Sequence, residues 1–335
     1  MSKLLEIRNL KTYFFTDEGI VKAVDRVSFH VERGKTLGVV GESGSGKSVT
    51  ARSILRIEGA RGRSVDGEIL FHRAPGDTVD LAKLHPTGPE IRSIRGKEIA
   101  MIFQEPMTAL SPVHTIGNQV MEAILLHQDV TKEEARELAL DILKRVGIPN
   151  PERRIDEYPH QLSGGMRQRA MIAMALSCHP KLLIADEPTT ALDVTIQAQI
   201  LELMKELQEE LGTAIMMITH NLGVISEMAD DVVVMYLGRI VESVSVEGLF
   251  YNPAHPYTKA LLRSIPRVGK KVEKRLESIK DVVPDAYNIP SGCTFHPRCP
   301  EFQEGFCDVY VPELVELAPG HQVSCLLYNG RERDA

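Results

Sequence analysis

The sequence predicts an α/β fold with a parallel-sheet core, an antiparallel β element before it and a small cysteine-rich unit after it. Thr36–Val40 is a short apolar run that feeds a glycine-rich turn and then a helix, which opens an α/β unit. From about Ser163 to Ile218 helix and strand alternate, as parallel strands require because their connections must cross over. Four of the five cysteines fall within the last 43 residues, at 293, 299, 307 and 325. At roughly 150 residues per domain, the 335 residues suggest about two domains.

The first 30 residues alternate apolar and polar about a turn at Asp17-Glu18-Gly19, an antiparallel strand pair. A helix follows from about Ser48. Residues 59–97, rich in Gly, Pro and His, read as β-hairpins and loops, and Glu98–Phe103 reads as a buried strand. Thr131 and Glu134 form a capping box ahead of a helical stripe of Ala135, Leu138, Ala139, Ile142, Leu143 and Val146. Then come a helix from about Ser163, a strand at Leu182–Ala185, a helix over Asp193–Leu211, a strand at Thr213–Ile218 and a hairpin over Val232–Val241. Cys178 falls at the end of an apolar helix, Met171–Cys178, and reads as core packing. The texture then shifts to Pro and His (Asn252–Tyr257) and to a basic run (Lys270–Arg275), which places the domain boundary near 250, between units 1–250 and 251–335.

Apolar residues make up 43% and charged residues 25%, an ordinary folded mixture. The 39 Lys and Arg against 46 Asp and Glu leave a net charge of −7, which argues against a basic face for nucleic acid. Any anion must therefore be bound locally. No window approaches the roughly 18 apolar residues of a membrane span, and the start lacks the apolar region of a signal peptide, so a cytoplasmic location is expected.

Gly41-Glu-Ser-Gly-Ser-Gly-Lys-Ser48 fits G-x-x-x-x-G-K-[ST] at every fixed position, with a strand before it and a helix after. Gly41, Gly44 and Gly46, with Ser43 and Ser45 between them, let backbone N–H groups turn inward around phosphate oxygens. Lys47 reaches the β and γ phosphates and the Ser48 hydroxyl ligates Mg²⁺. Leu182-Leu-Ile-Ala-Asp-Glu187 is a buried strand delivering Asp186 to Mg²⁺ and Glu187 to an attacking water. Alone, that hexapeptide could be a strand ending in a solvated acidic turn; with the P-loop it implies a nucleoside triphosphatase.

Leu162-Ser-Gly-Gly-Met166 resembles the signature motif of ATP-binding-cassette (ABC) ATPases, and the rest of their set follows in register. Gln104 resembles the Q-loop glutamine, Ala191-Leu192-Asp193 the D-loop, and His220 the switch histidine. Tyr13 and Phe14 resemble the aromatic position that stacks on adenine, and periodicity does not separate them. Val49 departs from the Thr common after the P-loop serine, which puts only a side-chain contact to the α-phosphate in doubt. The resemblance implies an ABC cassette with a helical subdomain at about 105–180, and Ser48, Gln104 and Asp186 around Mg²⁺. Glu187, His220 and Gln104 would support hydrolysis. Ser163, Gly164, Gly165 and Asp193 would act in trans, completing the ATP site of a second cassette in a homo- or heterodimer.

Ala23–Phe29, Gly41–Gly44, Ala185–Gln199 and Asn252–Thr258 narrow the resemblance to bacterial dipeptide, oligopeptide and nickel importer ATPases, over essentially the whole chain. That implies a peripheral subunit at the cytoplasmic membrane face, two separate permease subunits, and indirectly an extracytoplasmic peptide-binding protein. A cassette acting on nucleic acid or ribosomes is the rival; it would show two cassettes in one chain, or a coiled-coil insertion, with a basic face.

Cys293-x5-Cys299-x7-Cys307-x17-Cys325 is a four-thiol set in a chain expected to be cytosolic, where disulfides are disfavoured. Its spacing is looser than the C-x2–4-C pairs of structural zinc and suits a [4Fe–4S] cube, as does the resemblance to importer ATPases with C-terminal cluster motifs. Zinc and free buried thiols stay open.

Overall fold

The computed structural model describes residues 2–105, 109–190, 192–264 and 283–329; Ala191 of the D-loop segment and the basic run 270–275 lie outside the described residues. β1 (Lys3–Thr16) and β2 (Gly19–Glu32) form the expected hairpin, closing at Thr16↔Gly19 around Asp17 and Glu18. β3 is Thr36–Val40. β4 (Gly62–Ala74) and β5 (Asp77–Asp80) join the hairpin in a four-stranded sheet of order β2-β1-β4-β5.

The second sheet has eight strands in the order β11-β12-β10-β9-β3-β8-β7-β6. It adds β6 (Ile99–Ile102), β7 (Leu182–Asp186), β8 (Ala214–Thr219), β9 (Asp231–Tyr236), β10 (Arg239–Ser245), β11 (Val315–Ala318) and β12 (His321–Val323). β9, β3, β8, β7 and β6 run parallel. β3, β6, β7 and β8 are buried at every position, as strands covered on both faces must be. Alternate residues serve two cores. Val40, Ile102, Ala185 and Met217 face the helices, while Val39, Met101, Ile184 and Met216 face the four-stranded sheet with Leu5, Ile7 and Phe71.

The helices used below are α1 (Lys47–Ile54), α2 (Pro89–Ile94), α3 (Ile116–His127), α4 (Lys132–Arg145), α5 (Gly164–Leu176), α6 (Val194–Leu211), α7 (Leu222–Met228) and α8 (Pro256–Arg263), with short helices also at Pro151–Arg154, Val246–Tyr251 and Leu326–Asn329. α2 lies in a stretch read as loops and hairpins, where Pro89 at its first position escapes a helix reading. The capping box of α4 forms as expected, Glu134 N donating to Thr131 Oγ1 at 3.2 Å and Thr131 N to Glu134 Oε2 at 2.7 Å. Leu138 departs from the expected stripe, being 40% exposed while Ala135, Ala139, Ile142 and Leu143 are buried. Cys178 lies just past α5, half-buried, its thiol 3.5 Å from the Ala123 carbonyl oxygen, so it is not a helix core residue.

The chain beyond 250 returns to the sheet. β12 pairs with β10 at Glu242↔Val323, and the fully buried Glu242 carboxylate accepts from Ala254 N (2.7 Å) and His255 N (2.9 Å) and meets His321 Nε2 at 2.8 Å. Three segments distant in sequence thus share one buried carboxylate.

Candidate nucleotide site

β3 delivers the P-loop to the head of α1. Gly46 caps that helix at φ 98°, and a Cβ there would stand 2.3 Å from the Ala23 carbonyl oxygen, so glycine is required for conformation and space. Lys47 folds back over the loop: its Nζ donates to Gly41 O (2.7 Å), Glu42 O (2.9 Å) and Ser45 Oγ (3.3 Å). Burial pushes its ammonium pKa down, opposed by the charges of Glu187, Asp186 and Glu42. The Ser48 hydroxyl donates to Asp186 Oδ1 at 2.9 Å, which brings two expected Mg²⁺ ligands together from elements 138 residues apart. Burial raises the Asp186 pKa, and the Ser48 hydrogen bond works against it.

Glu187 is gripped from three sides. His220 Nδ1 lies 2.9 Å from Oε1, while Thr190 Oγ1 (2.9 Å) and Gln104 Nε2 (3.1 Å) donate to Oε2. Its backbone sits at φ 49°, in the left-handed region uncommon for a residue with a Cβ, anchored by its N–H to Ile218 O at 2.8 Å. Burial would raise its pKa, but the hydrogen bonds from His220 and Thr190 outweigh that, so the carboxylate pKa is lowered. A group so held is ionised at neutral pH and oriented, as a water-activating base must be.

Ser43, Gly44, Ser45, Lys47, Gln104 and Glu187 line one cavity of about 380 Å³. Phe14, Val21 and Ala23 line the same cavity and give it an apolar wall suited to a base. Tyr13 is absent from that wall, its hydroxyl turned to Asp25 Oδ1 at 3.1 Å. Ala286 and Ile289 complete the wall. Sequence reasoning missed them: an isolated alanine and isoleucine in a Pro- and Asn-bearing loop carry no motif.

Ser163 is the N-cap of α5, accepting from Met166 N at 3.3 Å, with open space around Gly164. Asp193 caps α6 through Ile196 N at 3.0 Å. Ser163, Gly164, Gly165 and Asp193 do not line the phosphate cavity of their own chain.

The four C-terminal cysteines are brought together. Cys293, Cys299, Cys307 and Cys325 border one small cavity with His255 and Phe295, and none is in a disulfide. Burial pushes the Cys299 thiol up to about 12 and Cys325 to about 11, each raised further by neighbouring cysteines. Among the described residues, no group of three or more His, Cys, Asp or Glu is placed to hold a metal ion. No described helix is long and apolar enough to cross a membrane.

Comparison with known proteins agrees with this geometry. Residues 24–190 match the family model described as ABC transporter, and residues 241–307 match the oligopeptide/dipeptide transporter C-terminal region. The oligopeptide transport ATP-binding protein AppD of Bacillus subtilis is 51% identical over 329 residues, covering 98% of both chains. The dipeptide transport ATP-binding protein DppD of Escherichia coli is 48% identical over 96% of both chains. Among solved structures, the ATP-binding cassette MJ0796, a dimer in a post-hydrolysis state with ADP and Pi, aligns with a TM-score of 0.64 at 27% identity. That alignment covers 72% of this chain and 98% of the other. CbiO1 from Clostridium perfringens, part of an ABC transporter complex, gives 0.61 at 27% identity over 75% and 92%.

Proposed function

This chain belongs to the ATP-binding proteins of the ABC transporter family, in the oligopeptide and dipeptide transport branch, and from that premise we propose that it is the subunit whose ATP hydrolysis drives peptide import. It works at the cytoplasmic membrane face with permease subunits in separate chains, and dimerises with a second cassette. The observation that carries the reading is the grip of Gln104, Thr190 and His220 on Glu187, beside the paired Ser48 and Asp186.

The chain's own residues divide the work. The P-loop N–H groups and Lys47 hold the β and γ phosphates, and Phe14 packs on the base. Glu187 takes a proton as a water oxygen attacks the γ-phosphorus and the bond to the bridging oxygen of ADP breaks. His220 orients that carboxylate. Ser48, Gln104 and Asp186 offer the all-oxygen donor set that Mg²⁺ prefers, and the ion would neutralise phosphate charge there. Ser163, Gly164, Gly165 and Asp193 serve the site of the second cassette, consistent with their lying off their own cavity. The Glu187→Gln protein keeps the side-chain shape but loses the base. It is expected to bind ATP and stay dimeric with hydrolysis reduced at least about a hundredfold; normal phosphate release would refute the assignment.

Residues 1–250 form the cassette and 251–335 the C-terminal unit in this reading, with a [4Fe–4S] cluster held by Cys293, Cys299, Cys307 and Cys325. Support comes from the shared cavity and the absence of a disulfide. A cube takes one thiolate at each iron, and four cysteines bordering one cavity match that count. When bound, the cluster would cross-link the loops that carry the four thiols. Brown protein absorbing near roughly 400 nm, bleached in Cys293→Ser, supports it; colourless protein with stoichiometric zinc refutes it.

A further inference from the structure

Glu42 is the first variable residue of the P-loop, yet it is absent from the wall of the phosphate cavity. Its carboxylate instead takes both prongs of one guanidinium: Arg298 Nη1 donates to Oε2 at 2.7 Å and Nη2 to Oε1 at 3.1 Å. Arg298 lies 256 residues away, at the end of the turn His296–Arg298 and next to Cys299. Its side chain is 3% exposed, against 26% for Glu42, so the tail carries the more deeply buried charge of the pair. Nη1 also reaches Tyr236 Oη at 3.4 Å.

The backbone of Glu42 is held as well. Its N–H donates to the hydroxyl of Tyr257, from α8, at 2.9 Å. Tyr257 is fully buried, packed against Tyr236 (centroids 4.7 Å apart) and Phe295 (5.3 Å), and Phe295 itself stands three residues before Arg298. The Glu42 carbonyl oxygen accepts from Lys47 Nζ at 2.9 Å. One P-loop residue is therefore fixed at its N–H and its carboxylate by the C-terminal unit, and through its carbonyl it touches the phosphate-binding lysine.

We propose that Arg298 is a positioning residue for the P-loop, setting ATP affinity from the C-terminal unit through Glu42. A planar two-pronged donor fixes a carboxylate in direction as well as distance, which an ammonium cannot do. The ends of the loop are set by β3 and α1; within the turn, Ser45 O accepts from Gly238 N at 3.0 Å, and Glu42 is the residue tied to Tyr257 and Arg298. Arg298 touches neither the phosphate cavity nor Glu187. Its loss acts on how well the loop is formed before nucleotide arrives, so it raises KM and leaves kcat.

The inference rests on the ATP reading of the site, and the test separates the two. ATP binding is measured on the full chain in the non-hydrolysing Glu187→Gln background, with Arg298→Met, Arg298→Lys, Glu42→Gln and the Met/Gln double variant. Steady-state ATPase is measured in the parent background. Arg298→Met is expected to weaken ATP binding about tenfold, Arg298→Lys and Glu42→Gln less. The double variant should be no weaker than Arg298→Met alone, and KM should rise with kcat within about twofold. Should Arg298→Met fail to fold, Arg298→Lys and Glu42→Gln carry the same comparison. Unchanged affinity in the folded variants, losses that add in the double variant, or a fall in kcat at constant KM would each overturn the proposal. A parent chain that does not bind ATP would instead overturn the reading of the site.

Discussion

Replacing His220 by alanine tests how the Glu187 carboxylate, the proposed base, is held. The imidazole Nδ1 is 2.9 Å from Glu187 Oε1, while Thr190 and Gln104 both bond the other oxygen, Oε2. Removing the ring thus strips one carboxylate oxygen of its described partner and leaves the other with two donors, which lets the group swing. A hydrogen bond to an ionised group contributes about 1.5–3 kcal/mol. The His220 side chain is 64% exposed, so water replaces part of that and the lower end of the range is the one to use. At 1.36 kcal/mol per factor of ten, kcat should fall about tenfold. The pH dependence gives a second, independent readout. Burial raises the Glu187 pKa and His220 lowers it by hydrogen bond and charge, so deleting the ring moves the pKa up. Activity requires the carboxylate, so the acid limb of the kcat profile should move to higher pH. Single-turnover hydrolysis at saturating ATP, from about pH 3.5 upward so that the acid limb of a depressed carboxylate is covered, reports both. A kcat within twofold of the parent, or an acid limb displaced to lower pH, would refute the argument.

The two adjacent aromatic residues should part company: Phe14→Ala is expected to weaken ATP binding about tenfold by exposing the base wall, whereas Tyr13→Phe, which removes only the hydrogen bond to Asp25, should leave Kd within about twofold by equilibrium titration. Gly46→Ala forces a Cβ to 2.3 Å from a backbone oxygen at φ 98°, so a loss of at least about 2 kcal/mol in stability should appear in denaturant unfolding. Glu242→Leu leaves two buried N–H groups and His321 without their acceptor, and should lower stability by about 3 kcal/mol or more, with β12 the first element to lose amide-exchange protection.

Residues whose chemistry fixes their type were legible in the sequence. A phosphate cradle needs glycines, a lysine and a hydroxyl in one order, so Gly41–Ser48 and Asp186–Glu187 could be placed by reading alone. The structure places Ser48 against Asp186, and Gln104 and His220 against Glu187. Tyr13 and Phe14 stayed unseparated for a local reason. β1 carries register shifts against β2 between Ile7 and Leu10, Leu10 and Thr12, and Thr12 and Phe14, so alternation along the strand loses phase before it reaches them. The helix at Ile116–His127 went unassigned too. Its cap is a single Thr115 hydroxyl, with no acidic residue in its first turn to complete a box.

What sequence could not supply was long-range packing, and that is where the C-terminal unit acquires a role. Ala286 and Ile289 reach the base wall, and Arg298 reaches the P-loop, across more than 200 residues. Burial explains why these contacts are more than incidental. A guanidinium 3% exposed requires partners, and one of those Arg298 has is the P-loop residue Glu42, so detaching the tail would leave that carboxylate without its two-pronged donor. The same holds at Glu242, whose carboxylate ties β10 to the start of the tail at Ala254 and to its end at His321. Two buried charged side chains of opposite sign, Glu242 and Arg298, thus each join the chain beyond 250 to the residues before it.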